Sequence, residues 1–445
     1  MKKVGLISLG CDKNRVDSEI MLANLQKGGF EITNRPEEAD VLIVNTCAFL
    51  EAARKEAIDT VFELAAYNTD HRKKLILTGC LPQKYLEELY PELMEADGFF
   101  GTNDYDHIAN FVREICEKGK RVAQVTKDVT TVTEGDRVLT TPGHYAYLRI
   151  ADGCDNHCTY CLIPSIRGKY RSRKPESVVQ EAESLVARGV KELILVAQDT
   201  TSYGTDLFGE PKLADLLVRL NGIHGLQTIR TLYCYPEKIT DELIGTLAKL
   251  PKCAHYLDVP LQHVSDRVLK RMGRQTTYRD IVSLFYRLRK AMPDVSIRTT
   301  LMLGFPGETQ EDVDLLCKFL QEQKLQNVGF FAFSAEPGTP AEKLKDQIPE
   351  EEKQRRVQLA IDAQSRAVDA VYAGRIGHVY PLVVDDAIEE EDEKVYVARG
   401  YWSAPEIDGV CFVHSKRELR PGGTVRAKVV ANKGYDLGCV AEEDL

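Results

Sequence analysis

"VLIVNTCAF" (residues 41–49) decides how the first part of this chain is read. Four apolar residues lead into Asn45, Thr46 and Cys47. A short unbroken apolar run is the form a strand takes when a parallel sheet is covered on both faces. Two neighbours repeat the pattern: "LISLGC" ends at Cys11 and "LILTGC" at Cys80. Between the three lie "RVDSEIMLANLQKGG", with apolar residues at helical spacing and a glycine stop, and "ARKEAIDTVFELAAYN". The order βαβαβ predicts a parallel sheet with crossover helices. All strand carboxyl ends of such a sheet share one edge, where open α/β folds bind ligands. One cysteine there reads as a small buried hydrophobe. Three at equivalent positions read as a site.

Beyond this unit, "KDVTTVTEGDRVLTTPGH" (127–144) is polar, lacks periodicity and is expected to be a linker. Strand and helix patterns then alternate from Tyr145 to about Tyr372. The strand candidates are "AYLRIADG", "ELILVAQD", "IRTLYCY", "HYLDVP", "SIRTTLMLGF" and "VGFFAFS". About six β/α units in a row predict a barrel or partial barrel. From about Ile376 the pattern changes to five short strands with turn residues between them, a small all-β barrel. The acidic run "DDAIEEEDEK" is expected to be a solvated loop between two of these strands. The fold class is therefore α/β with a β-barrel appended. The expected domains are 1–130, 140–372 and 376–445.

Composition narrows the function classes. The 445 residues carry a net charge of −10, which disfavours broad non-specific nucleic-acid binding. No apolar run reaches the ~18 residues of a membrane span, and "MKKVGLISLGCDKN" reads as a first strand, not a targeting segment. A cytoplasmic location is expected, with no membrane partner. Twelve cysteines in a reducing compartment point to metal, cluster or redox use.

"ADGCDNHCTYC" is the strongest local signal: Cys154, Cys158 and Cys161 at C-x3-C-x2-C spacing, directly after a strand. Thiolates so spaced converge on one metal centre. Three ligands suffice if an external molecule takes the open coordination position. A structural zinc would need a fourth ligand, which His157 could supply, but no second ligand pair follows at zinc-ribbon spacing. With an aromatic, Tyr160, just before the last cysteine, this stretch resembles the radical S-adenosylmethionine superfamily. The resemblance implies a four-iron, four-sulfur cluster on Cys154, Cys158 and Cys161. Its open iron would take the amino and carboxylate groups of S-adenosylmethionine. Reduction then yields methionine and a radical that abstracts hydrogen from an unactivated carbon. Cys11, Cys47 and Cys80 then read as ligands of a second cluster, again with an open iron.

Together these features resemble the methylthiotransferase family over essentially the whole chain. The family order is a three-cysteine domain, a radical domain and a small TRAM barrel. The resemblance implies two four-iron clusters, one S-adenosylmethionine as methyl donor and another as radical source, and an electron donor such as flavodoxin or ferredoxin. One branch of the family modifies a tRNA adenosine; the other modifies the β-carbon of an aspartate in ribosomal protein S-twelve. "SLGCDKNRVDSE", "YLDVPLQHVSDRVLKRMGR" and "SAPEIDG" are similar to the ribosomal-protein branch. Residues 376–445 hold fourteen Asp and Glu against eight Lys and Arg. An RNA-gripping barrel would be basic, so the balance suits a basic protein partner, although seven of those acids lie between Asp385 and Glu393. The competing readings are the tRNA-modifying sister enzyme and a non-catalytic metal-cluster protein that binds RNA.

Weaker signals complete the set. "MLGFPGE" places Gly304, Gly307 and Glu308 in a turn similar to the superfamily segment near the cofactor's adenine; such a turn is also common in βα units. Gln198 and Asp199 end a strand, where barrel enzymes contact ligands; a helix cap is the plainer alternative. Five basic residues between Arg167 and Lys174 could meet a carboxylate or form a solvated face. Cys116, Cys234, Cys253, Cys317, Cys411 and Cys439 are expected to pack, and Trp402 carries no signal of its own.

Overall fold

The computed structural model describes residues 1–68, 73–127, 130–389 and 394–445. The N-terminal sheet comprises β1 (Lys3–Ser8), β2 (Glu31–Ile32), β3 (Val41–Thr46), β4 (Lys74–Gly79), β5 (Gly98–Phe100) and β6 (Val122–Gln124). All pairings are parallel, in the order β2-β1-β3-β4-β5-β6. Every residue of β3 is buried, which is why its sequence is apolar without alternation. Three strands were expected and six are present. The additional ones, of two or three residues, are too short to show a period. The strand order reverses between β1 and β3, and a crevice opens at such a switch point. Helices α1 (Asp12–Lys27), α2 (Glu51–Ala65), α3 (Cys80–Glu92) and α4 (Ile108–Lys118) flank the sheet.

The central sheet begins with β7 (Tyr145–Arg149). A short antiparallel pair follows, β8 (Ala151–Asp152) with β9 (Arg171–Ser172), and it closes the cysteine-bearing loop at its base. A one-turn helix, α5 (Ile163–Arg167), lies inside that loop. The sheet continues with β10 (Glu192–Val196), β11 (Thr228–Thr231), β12 (Cys253–Asp258), β13 (Ser296–Leu303) and β14 (Asn327–Ala332). These strands lie parallel in sequence order from β7 to β14, an open six-stranded partial barrel. One apolar cluster is shared between its strands and the first domain, bringing Val16, Ile20 and Met21 of α1 against Tyr147, Ile194, Val196 and Tyr256.

The C-terminal unit is a closed barrel of β15 (Val379–Glu389), β16 (Lys394–Arg399), β17 (Cys411–His414), β18 (Thr424–Lys433) and β19 (Asp436–Ala441), in the order β15-β16-β17-β19-β18. Three readings need correction. Asp385 to Glu389 belong to β15, so the acidic run begins inside a strand; Glu390 to Glu393 lie outside the described residues. Much of the 127–144 segment is irregular but it is no free tether. Arg137 is buried and its Nε donates to Glu19 of α1 at 2.9 Å, while Nη1 reaches Glu181 at 2.7 Å; Asp128 and Val129 lie outside the described residues. Trp402 does carry a role. It is 1% exposed, Arg375 stacks 4.0 Å from its ring centroid, and its carbonyl accepts from Asn327 Nδ2 at 2.9 Å.

Candidate functional site

Each N-terminal cysteine sits just past a strand end. Cys11 is the N-cap of α1, Cys47 follows β3, and Cys80 is the first residue of α3. Cys11 and Cys47 thus flank the topological switch point. The turns need glycine. Gly79 has φ +96°, and a Cβ there would lie 2.3 Å from Asn45 Oδ1. Gly10 has φ +112°, and its Cβ would lie 3.0 Å from the Cβ of Cys47.

Asn14 stands between two of the thiols. Its Oδ1 accepts from Cys11 Sγ at 3.5 Å and from Cys80 Sγ at 3.8 Å, while its Nδ2 donates to the Thr46 carbonyl at 2.8 Å. Burial pushes the Cys80 thiol up to about 12 and raises that of Cys47. Such thiols stay protonated until a metal centre displaces the proton.

The second set lies at the end of the first central strand. Cys154 and Cys158 are buried, Cys161 half-buried. Four groups donate to, or share a hydrogen with, the sulfurs: Asn156 Nδ2 to Cys154 Sγ at 3.4 Å, the Ile163 amide to Cys161 Sγ at 3.4 Å, and, at Cys158 Sγ, the Tyr235 hydroxyl at 3.4 Å and Arg274 Nη1 at 3.9 Å. Such bonds tune the sulfurs of an iron–sulfur cluster. Burial raises the Cys154 thiol and takes that of Cys161 to about 12. Residues 271–274 back this loop, with Thr159 N bonded to the Met272 carbonyl at 3.0 Å and Thr159 Oγ1 to that of Arg271 at 2.9 Å.

His157 is exposed. Among the described residues no group of three or more His, Cys, Asp or Glu is placed to hold one metal ion. Thiolates about 2.3 Å from a single ion lie within about 4 Å of one another. A four-iron cubane places its thiolates on separate irons and spreads them further. The all-sulfur donor sets, three thiols each, suit iron–sulfur clusters.

The structure brings Gln198 and Asp199 to the cysteine loop. Gln198 Nε2 donates to Asp152 at 2.7 Å, and its buried Oε1 has no hydrogen-bond partner. Asp199 accepts from Asn156 Nδ2 at 2.9 Å, Lys238 Nζ at 2.6 Å and Ser202, so it works as a cap and a brace. Gly304 and Glu308 form a closed unit: both Glu308 oxygens accept from the Gly304 amide at 3.0 Å, and one also accepts from Arg356 Nη1 at 2.9 Å. A Cβ on Gly307 would meet Arg271 at 2.8 Å. Phe305, between them, packs in one apolar cluster with Cys158 and Tyr160.

Sequence reasoning missed the residues that join the two cysteine sets. Lys13 Nζ lies 3.1 Å from the ring centroid of Tyr233, whose hydroxyl donates to Asp12 at 3.3 Å. Two residues along, Tyr235 reaches Cys158. Tyr233 has φ +60°, a conformation that bulky residues rarely adopt outside constrained sites. No local pattern could reveal this bridge, because its halves come from different domains. Asn14, inside the quoted "GCDKN", was the nearest legible signal.

A partial β/α barrel with three cysteines after its first strand defines the class, a radical S-adenosylmethionine enzyme. The model of the Radical SAM superfamily matches residues 148–320, that of the TRAM domain 376–441, and that of Uncharacterized protein family UPF0004 residues 3–101. The chain belongs to the RimO family of ribosomal protein uS12 methylthiotransferases. It is 48% identical to the member from Clostridium tetani, over 99% of this chain and 98% of that one. It is 49% identical to that from Clostridium perfringens, over 99% and 98%, and 45% identical to that from Acetivibrio thermocellus, over 98% and 97%. Among solved structures it is similar in fold to the radical S-adenosylmethionine methyltransferase TsrM from Kitasatospora setae, with TM-score 0.54, 16% identity, and 76% and 74% of the two chains covered. The cobalamin-dependent radical enzyme OxsB gives TM-score 0.52, 12% identity, and 81% and 56% covered. The protein is thus a radical methylthiotransferase with S-adenosylmethionine and four-iron, four-sulfur clusters as cofactors. No described helix is long and apolar enough to cross a membrane.

Proposed function

We propose that this enzyme replaces a C–H bond at the β-carbon of an aspartate in ribosomal protein uS12 with a C–SCH3 bond. Cys154, Cys158 and Cys161 hold the cluster that binds S-adenosylmethionine. Cys11, Cys47 and Cys80 hold the cluster that furnishes sulfur. When bound, the cofactors supply the electron, the hydrogen-abstracting radical, the sulfur and the methyl group. One observation carries the reading: a single strand end, Tyr233 to Tyr235, touches Lys13 beside the first set and Cys158 of the second.

The chain's own residues bind, orient and exclude water. Gln198 offers its unbonded Oε1 to the cofactor. Asp199 and Asn156 hold the cysteine loop in place. Gly304, Gly307 and Glu308 shape the wall near the adenine. Support for a protein substrate comes from the acidic excess of residues 376–445 and from the names of the relatives. Flavodoxin or ferredoxin would supply electrons in the cytoplasm, where the small ribosomal subunit is met.

Mass spectrometry of uS12 and of tRNA from a strain lacking the enzyme tests the substrate. The uS12 aspartate should lose its methylthio group while tRNA keeps its own. The reverse pattern would replace this reading with the tRNA-modifying one.

A further inference from the structure

Arg167 is the buried group that the chemistry above leaves unused. It ends α5, six residues beyond Cys161, yet its guanidinium faces the other cysteine set. Nη2 donates to Asp17 at 2.8 Å, to Asn14 Oδ1 at 3.0 Å and to Cys80 Sγ at 3.5 Å. Nη1 is buried and makes no hydrogen bond; its nearest acid is Asp152, at 3.6 Å.

The charges around it do not balance. Asp17 and Asp152 face three guanidinium groups. Arg149 pairs with Asp17, Arg171 lies 3.5 Å from Asp152, and Arg167 touches both acids. All five side chains are buried. Among these buried groups one positive charge is in surplus, with the exposed Asp155 acting on Arg171 from the loop surface, and a buried charge is costly unless matched. It lies against Cys80. Three thiolates on an oxidised four-iron cubane exceed its two positive charges by one, so the bound centre would carry the missing negative charge.

We propose that Arg167 is a positioning residue that matches the charge of the cluster on Cys11, Cys47 and Cys80, donates to the Cys80 sulfur and raises that cluster's reduction potential. The inference rests on the ligand assignment proposed above. Hydrogen bonds to sulfur and nearby positive charge both favour the reduced, more negative centre.

The test uses the full chain with Cys154, Cys158 and Cys161 replaced by Ala, reconstituted anaerobically with iron and sulfide, so that only the second centre is read. Iron analysis and a redox titration followed by electron paramagnetic resonance are compared with and without a change at Arg167. Arg167→Gln removes the surplus charge without stranding an acid, since Asp17 keeps Arg149 and Asp152 keeps Arg171, and Arg167→Lys retains the charge. Arg167→Gln should lower the reduction equilibrium about tenfold, or ~59 mV for one electron, with Arg167→Lys recovering part of it. An unchanged potential with about four irons retained overturns the inference while leaving the ligand assignment standing. No iron in the parent triple variant overturns the assignment and the inference with it. Loss of the fold in both Arg167 variants makes the residue structural and also overturns the proposal.

Discussion

Arg399 of the C-terminal barrel places its Nη2 3.0 Å from Glu192 Oε2 of the central sheet, and Arg230 Nε holds the other oxygen at 2.8 Å. Arg399 also pairs with Asp385 at 3.0 Å. The contact joins two domains through fully buried charge. Burial alone would raise the Glu192 carboxyl, but Arg399 and Arg230 outweigh it and bring it down to about 2.

A depressed carboxyl stabilises the fold above its unfolded value of 4.5 and ceases to as pH falls toward about 2. That shift corresponds to roughly 3 kcal/mol. Urea midpoints of the apoprotein should therefore fall between pH 5 and pH 3. Glu192→Gln should be destabilised at pH 7 by about 3 kcal/mol, since Arg230 loses its acidic partner and Arg399 one of two, and should show a flatter pH slope. An equal slope in both proteins would show that Glu192 does not govern acid sensitivity.

The two cysteine sets should separate by function. Replacing Cys154, Cys158 and Cys161 should abolish 5′-deoxyadenosine formation and leave about four irons of about eight. Replacing Cys11, Cys47 and Cys80 should spare cleavage of S-adenosylmethionine and stop methylthiolation. Product from the second variant, followed by mass spectrometry of uS12, would refute the assignment of the sulfur source.

Gly79→Ala tests the turn that aims Cys80. The backbone at φ +96°, ψ −150° is one that only glycine enters freely. The added Cβ also meets Asn45 Oδ1 and, at 2.7 Å, the Thr46 carbonyl. A cost of about 3 kcal/mol or more is expected, with iron at the N-terminal site falling more than at the central one. Equal loss from both sites would mean a global rather than local effect.

Arg137→Met tests the segment between the first two domains. It strands Glu19 and takes one of two guanidinium partners from Glu181, which keeps Arg173 at 2.6 Å. Breaking a buried pair in this way costs about 3–5 kcal/mol. Limited proteolysis should then cut between residues 127 and 144, where the parent protein resists. Unchanged cleavage would mean that the segment is held by its other contacts, such as the Thr140 hydroxyl to Glu19 at 2.9 Å.

The sequence by itself determined the order of the main elements, the three kinds of domain and the strand-end positions of Cys11, Cys47 and Cys80. Each of these is written locally: apolar runs, the helical period, and the spacing within "ADGCDNHCTYC" depend only on near neighbours. β2, β5 and β6 escaped because two or three residues show no period, and Trp402 and Arg137 because their partners lie in other domains. What only tertiary structure decided is which groups meet the cysteines. Arg167 meets Asn14 across 153 residues, and Arg399 meets Glu192 across 207. A basic run in sequence reads equally as a solvated face or a site, since charge is neutral in meaning until its surroundings are known. Burial removed the water, two aspartates met three arginines, and the surplus charge came to rest beside Cys80. That outcome depends on how three domains pack, and no stretch of the chain contains it.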